Sequence, residues 1–340
     1  MYPNTFHSTD PFILESGEQL PELTIAYHTS APLYNGKKVL WICHALTANS
    51  NPVEWWEVMT GPGKCFDPEE YFIVCANVLG SCYGSTGPMS MNPNTGTPYY
   101  DSFPLISIRD MVAAHFLLSK HIGIDRIDLI IGASIGGFQA MEFALCHPEL
   151  CNRLVLIACN ARVSPWGTAY NESQRMAILA DSTYHERRAG GGENGLAAAR
   201  SIALLSYRSY AGYGLSQQES HPDTFISQKA ASYQQYQGEK LRRRFDAYSY
   251  MALTKSFDTH NVGRGRGGVE RALQTIRAKT LCIGITGDQI FPPHEVLFMS
   301  QHIPNAHYVS INSDFGHDGF LLEWKALTQV ISQFSTQYQI

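Results

Sequence analysis

The pentapeptide Gly132-Ala133-Ser134-Ile135-Gly136 constrains this chain more than any other stretch. A β-branched run, Ile127-Asp128-Leu129-Ile130-Ile131, leads straight into it, and a helix-like segment leads out. The pattern predicts a nucleophile elbow. A serine at a tight strand-to-helix turn has a strained backbone and an Oγ clear of the sheet, and a glycine on either side lets neighbouring chains pass. Gly137 adds room. The same turn places the Ile135 N–H at a helix N-terminus, where an oxyanion would be stabilised. Gly-x-Ser-x-Gly alone also occurs in ordinary loops, so the flanking strand and helix carry the argument.

A nucleophilic serine needs a base, and the base needs a carboxylate to orient it. Behind such an elbow the acid comes first along the chain and the histidine second. Lys279-Thr280-Leu281-Cys282-Ile283-Gly284-Ile285 reads as a buried strand, and Thr286-Gly287-Asp288 puts an acid just past its end. Ala306-His307-Tyr308-Val309-Ser310-Ile311 reads as another strand, and Gly316-His317-Asp318 lies in the segment after it. Asp288 after a glycine could be only a turn residue, and any one of 13 histidines is more often a surface or core residue than a base. Three such signals in the required order, each beyond a predicted strand, make Ser134, Asp288 and His317 the expected triad.

The second oxyanion donor should come from the loop after an earlier central strand. Lys38-Val39-Leu40-Trp41-Ile42-Cys43 is such a strand, followed by His44-Ala45-Leu46-Thr47. The Leu46 N–H is the expected partner of the Ile135 N–H. His44 is read as a brace for this loop rather than as a catalytic group.

Several function classes drop out on composition. Net charge −5 implies no basic surface able to neutralise nucleic-acid phosphates. The eight cysteines form no Cys-x-x-Cys or Cys/His metal pattern, and Cys43, Cys75, Cys159 and Cys282 fall in or beside apolar strand-like runs, as reduced core residues would. Neither a basic-then-apolar leader nor a membrane-length apolar segment occurs, so no metal, no membrane and a cytoplasmic location are expected.

Strands and helices alternate up to about Ala161, giving a mostly parallel sheet after an antiparallel hairpin around Ser16-Gly17-Glu18. From about Arg162 the sequence turns polar, helical in pattern and rich in Tyr, Arg and Gln, and alternation resumes near Ala278. The expected organisation is an α/β core over 1–161 and 275–340, interrupted by a helical lid over 162–274. A lid matters because water competes with any other acceptor for an acyl-serine.

His44-Ala45-Leu46-Thr47, Gly61-Pro62-Gly63-Lys64, Asn77-Val78-Leu79-Gly80, Gly84-Ser85-Thr86-Gly87-Pro88 and Gly316-His317-Asp318 together resemble the homoserine O-acyltransferases of methionine biosynthesis, members of the α/β-hydrolase superfamily. The resemblance runs from about Phe12 to Phe334; Ala133-Ser134-Ile135 departs from the family's usual Gly-Ser-Met without affecting the turn. It implies an α/β-hydrolase fold, with a mostly parallel central sheet, helices on both faces and an inserted helical lid. It also implies a ping-pong transfer from acyl-CoA to L-homoserine with no permanently bound cofactor, and a homodimer. The family's carboxylate-binding arginine lies on a lid helix, matched here by Ala199-Arg200 and the residues up to Arg208. Arg200 is the first choice. Tyr207, seven residues on, falls on nearly the same helix face, and Arg208, about 80° around, is the reserve cation. Asp318 matches the family's amine-binding acid. A solvated helix face for Arg200, a packing role for Tyr207 and a loop acid for Asp318 stay open.

Lys240-Leu241-Arg242-Arg243-Arg244 and Arg264-Gly265-Arg266 could meet coenzyme A phosphates, or be a solvated face and a salt-bridged loop. A succinyl donor would need a further buried cation near Ser134, and no arginine stands beside the elbow, so acetyl-CoA is the expected donor. The alternatives are a homoserine O-succinyltransferase, a serine O-acyltransferase, an esterase, and a binding module lacking a triad member.

Overall fold

The computed structural model describes residues 1–337. Eight strands form the central sheet: β1 (Tyr2–Ser8), β2 (Leu23–Thr29), β3 (Lys38–Cys43), β4 (Tyr71–Ala76), β5 (Leu129–Ala133), β6 (Arg153–Ile157), β7 (Lys279–Ile285) and β8 (Ala306–Ile311). Their spatial order is β1-β2-β4-β3-β5-β6-β7-β8. β2 runs antiparallel to both neighbours, and from β4 to β8 all pairings are parallel. Parallel strands covered on both faces read as unbroken apolar runs rather than alternating ones. Every residue of β4, β5 and β6 is accordingly buried, whereas β1 at the edge alternates. The hairpin expected around Ser16-Gly17-Glu18 forms, but as a separate ribbon pairing Phe12 with Leu20 and Ile13 with Gln19. The antiparallel part of the sheet itself comes from β1 and β2.

Helices cover both faces, among them α1 (Ile108–Ile122) and α2 (Ile135–Cys146). α1 carries a reciprocal cap, in which Ser107 Oγ accepts from the Asp110 N–H and Asp110 Oδ2 accepts from the Ser107 N–H. Between β6 and β7 the chain passes through α3 (Pro165–Leu179), α4 (Glu193–Tyr207), α5 (Tyr210–Gln217), α6 (Gln228–Arg242) and α7 (Ala247–Asp258). These pack on one another, and Phe257 of α7 meets Phe138 of the core edge-on, which in turn meets Phe291 edge-on. The chain closes with α8 (Pro293–His302) and α9 (Trp324–Gln337). No helix among the described residues is long and apolar enough to cross a membrane.

Candidate active site

Segments leaving the C-terminal ends of β3, β5 and β8 converge on one cavity of about 550 Å³, lined by Leu46, Ser134, Arg200, Tyr207, His317 and Asp318 among others, and the segment after β7 places Asp288 behind His317. Ser134 bridges β5 and α2 with φ 57° and ψ −130°, a left-handed backbone for a residue with a Cβ. Such a conformation costs about 1–3 kcal/mol and persists only where its surroundings enforce it. Two glycines show how. A Cβ on Gly136 would lie 2.2 Å from the Cys43 carbonyl oxygen, and one on Gly132 would lie 2.0 Å from the Gly136 oxygen. The turn closes only because neither exists.

His317 and Asp288 are both buried, and His317 Nδ1 lies 2.7 Å from Asp288 Oδ2. The other carboxylate oxygen, Oδ1, accepts from the Ile290 and Phe291 N–H groups, each at 2.9 Å. Asp288 is thus an acceptor at both oxygens, which makes Nδ1 the donor and leaves Nε2 free for proton transfer. Burial disfavours the imidazolium, but the Asp288 charge and hydrogen bond, with Asp318 beyond, outweigh it and raise the His317 pKa.

The Leu46 N–H belongs to a turn in which the Ala48 N–H donates to the Ala45 oxygen at 3.0 Å. Among the described residues neither the Leu46 nor the Ile135 N–H has an acceptor, and Ile135 opens α2, where the positive end of the helix dipole lies. His44 braces this turn. Its Nε2 accepts from the Val78 N–H at 3.2 Å and its Nδ1 reaches the Ala45 oxygen at 2.9 Å, while burial lowers its pKa to about 4. It is therefore neutral and structural.

The resemblance motifs stiffen the same region. Asn77 accepts from the Ser50 N–H and donates to Ser50 Oγ and the Tyr83 oxygen. Ser85 and Thr86 hydroxyls accept from the Ala26 and Thr24 N–H groups, acting as a surrogate strand beside β2.

Across the cavity stands α4. Arg200 reaches the cavity and sits 5.3 Å above the Tyr207 ring, which in turn lies 5.7 Å from the His317 ring. Arg208 departs from expectation: α4 ends at Tyr207, and Arg208 is extended, with φ −104° and ψ 145°. The reason is the next residue, Ser209, whose Oγ caps α5 by accepting from the Gly212 N–H. Off the helix, Arg208 Nε comes 2.7 Å from Asp318 Oδ2, and the cavity lining does not include it. The contact is coulombic, since the Nε–H is not aligned as a hydrogen bond. Burial raises the Asp318 pKa, opposed by Arg208 and Arg200.

The two basic stretches separate. In the first, Leu241 is buried, Arg242 and Arg243 pair with Glu239, and Lys240 and Arg244 reach the cavity. In the second, Arg264 pairs with Glu15 at 2.8 Å and Arg266 with buried Glu142 at 2.8 Å, alongside Arg109. That stretch is a salt-bridged loop and lines no part of the cavity.

Sequence reading missed a polar stripe on α3. Gly167, Tyr170, Asn171 and Gln174, at helical i, i+3, i+4, i+7 spacing, line a recess of about 20 Å³ that also touches Ser134 and Leu46. The spacing itself was the available signal. A larger cavity, about 860 Å³ beside Arg162, Arg271 and His294, is lined by none of Ser134, Asp288 and His317. Chemistry rather than volume therefore locates the site.

Comparison with known proteins agrees with this fold. Residues 38–323 match the α/β hydrolase fold family. The homoserine O-acetyltransferase of Cyclobacterium marinum is 44% identical over 346 residues, covering 98% of this chain and 95% of its relative. The chain belongs to the homoserine O-acetyltransferase family. The crystal structure of homoserine O-acetyltransferase from Staphylococcus aureus superposes with a TM-score of 0.83 at 28% identity, covering 100% of this chain and 96% of that one. Esterase E22, at 24% identity, shares the fold with a TM-score of 0.88 over 98% and 99% of the two chains.

Proposed function

We propose that this protein transfers an acetyl group from acetyl-CoA to the side-chain hydroxyl of L-homoserine, a step of methionine biosynthesis, with no resident cofactor. One observation carries the reading: Ser134, the Asp288-held His317, and a cation and an anion suited to an amino acid, Arg200 and Asp318, open onto a single cavity. Ser134 Oγ attacks the thioester carbon as His317 Nε2 takes its proton. The oxyanion is held by the Leu46 and Ile135 N–H groups, and the proton leaves with the CoA thiol. Homoserine Oγ then gives its proton to His317 Nε2 and attacks the acetyl carbon, and Ser134 recovers that proton. Arg200, with Tyr207 beside it, receives the carboxylate, and Asp318 receives the ammonium. Lys240, exposed at the mouth, suits a CoA phosphate.

The recess beside Ser134 favours acetyl. About 20 Å³ admits a methyl-sized group, since roughly 10–15 Å³ on this scale holds one water. No cation lines it among the described residues, so a succinyl carboxylate would be buried unpaired. A cytoplasmic homodimer completes the proposal. The test is release of free thiol from acetyl-CoA or succinyl-CoA with homoserine, serine or water as acceptor. Homoserine-dependent release from acetyl-CoA is expected. Equal release without homoserine would make the protein an esterase.

A further inference from the structure

The oxyanion turn is held from two sides, and only one of them belongs to the core. On the buried side His44 holds the Ala45 oxygen, and Gln139 Nε2 donates to the His44 oxygen at 3.3 Å. On the cavity side the hold comes from the helical insertion. Arg244, just beyond α6, donates from Nη1 to the Thr47 oxygen at 2.5 Å and to the Tyr83 hydroxyl at 2.7 Å, and from Nη2 to Thr47 Oγ1 at 3.3 Å. Among the described residues no other group donates to that carbonyl. The Arg244 backbone is fixed in turn, because its oxygen accepts from Cys82 Sγ and Phe245 packs edge-on against the Tyr83 ring at 5.7 Å.

We propose that Arg244 is a positioning residue for the oxyanion hole, clamping the Thr47 carbonyl and thereby fixing the turn from which the Leu46 N–H projects. Leu46 and Thr47 are the two central residues of the Ala45–Ala48 turn. The Thr47 carbonyl shares its peptide with the Ala48 N–H, which donates to the oxygen of the Ala45–Leu46 peptide that carries the donor, so rotating the one tilts the other. A guanidinium suits the task because its planar fork reaches carbonyl, hydroxyl and phenol together, and its charge strengthens each bond. Misplacing a catalytic group by about 1 Å costs on the order of 100-fold in rate. The inference rests on the acyl-transfer reading of Ser134.

Acylation by p-nitrophenyl acetate, which has no CoA, separates positioning from phosphate contact. In single-turnover bursts Arg244→Met should slow acylation about 10- to 100-fold with p-nitrophenyl acetate and acetyl-CoA alike. The ester's half-saturating concentration should barely move, and Arg244→Lys should recover part of the rate. Tyr83→Phe, which keeps the Thr47 contact, should cost less and add nothing on top of Arg244→Met. These milder variants carry the test if Arg244→Met proves unstable. A normal p-nitrophenolate burst with weakened acetyl-CoA saturation would overturn the proposal, making Arg244 a CoA contact alone; fully additive losses would also overturn it. Wild-type enzyme with no burst from either donor would instead bring down the acyl-transfer reading.

Discussion

The strand-end side of the cavity and the helical side hold their residues by different means. Leu46, Ser134, Asp288 and His317 leave four strand ends, and backbone geometry sets them: a closed turn, an elbow that excludes two Cβ atoms, and a carboxylate fixed by two N–H groups. Arg200, Tyr207 and Asp318 face each other through charge and ring contacts, with Arg208 supporting Asp318 from outside the cavity. On the proposed reaction, bond-making falls to the topology of the sheet and recognition to side chains that a few substitutions could re-aim.

The sharpest break in that comparison is Ser134→Ala. It should abolish both half-reactions, lowering turnover on the order of 10⁵- to 10⁶-fold with the fold intact, because no covalent route remains. Mass spectrometry should place the acetyl adduct of wild-type enzyme on Ser134; an adduct elsewhere refutes the assignment. Asp288→Asn should cost about 10⁴-fold by favouring the wrong imidazole tautomer. His317 must be neutral to accept a proton, so acylation should fall as pH drops through its raised pKa. The midpoint of the pH–rate profile should therefore lie above the ordinary 6.5. Losing the Asp288 charge should move the residual activity's midpoint downward. An unmoved midpoint would mean that another acid sets the imidazole.

On the helical side, effects should divide by half-reaction. Arg200→Ala should spare Ser134 acylation and impair transfer to homoserine by about 2–5 kcal/mol, the range for losing one charged contact in a desolvated site. Arg208→Ala should act more weakly and through Asp318. Without that guanidinium the already raised Asp318 pKa climbs further, so a transfer defect should deepen as pH falls and shrink as pH rises. Single-turnover acylation beside steady-state transfer separates the two. A larger defect in Arg208→Ala at every pH would exchange their roles.

What could be read in the sequence follows the same division. β5, β6 and β7 were legible because strands covered on both faces must be apolar throughout, and the strand-end positions of Ser134 and Asp288 follow once those runs are found. The pairing of Arg208 with Asp318 was not legible. It depends on where α4 stops, and that is decided by a Ser209 cap competing with helix continuation. Nor did the motifs that carry the family resemblance announce their work, since Asn77, Ser85 and Thr86 satisfy backbone and side-chain groups far away in the chain. The polar stripe on α3 was legible in spacing, but a polar helix face is ordinarily a solvated one.

The basic loop gives the smallest expected effect on activity and the most direct check on the division. Arg264 and Arg266 resemble the Lys240–Arg244 stretch in composition, yet they face Glu15 and Glu142 rather than the cavity. Glu142 is buried and receives Arg266 at both oxygens, 3.1 and 2.8 Å, with Arg109 at 3.3 Å. Removing one partner of a buried pair costs about 3–5 kcal/mol when the charge is left alone. Arg109 remains here, so Arg266→Ala should destabilise by up to about 3 kcal/mol. Thermal or urea unfolding should record that loss while kcat and the KM for acetyl-CoA stay at wild-type values. A raised KM for acetyl-CoA with unchanged stability would show that the loop meets the coenzyme after all, and the division between the two basic stretches would fall.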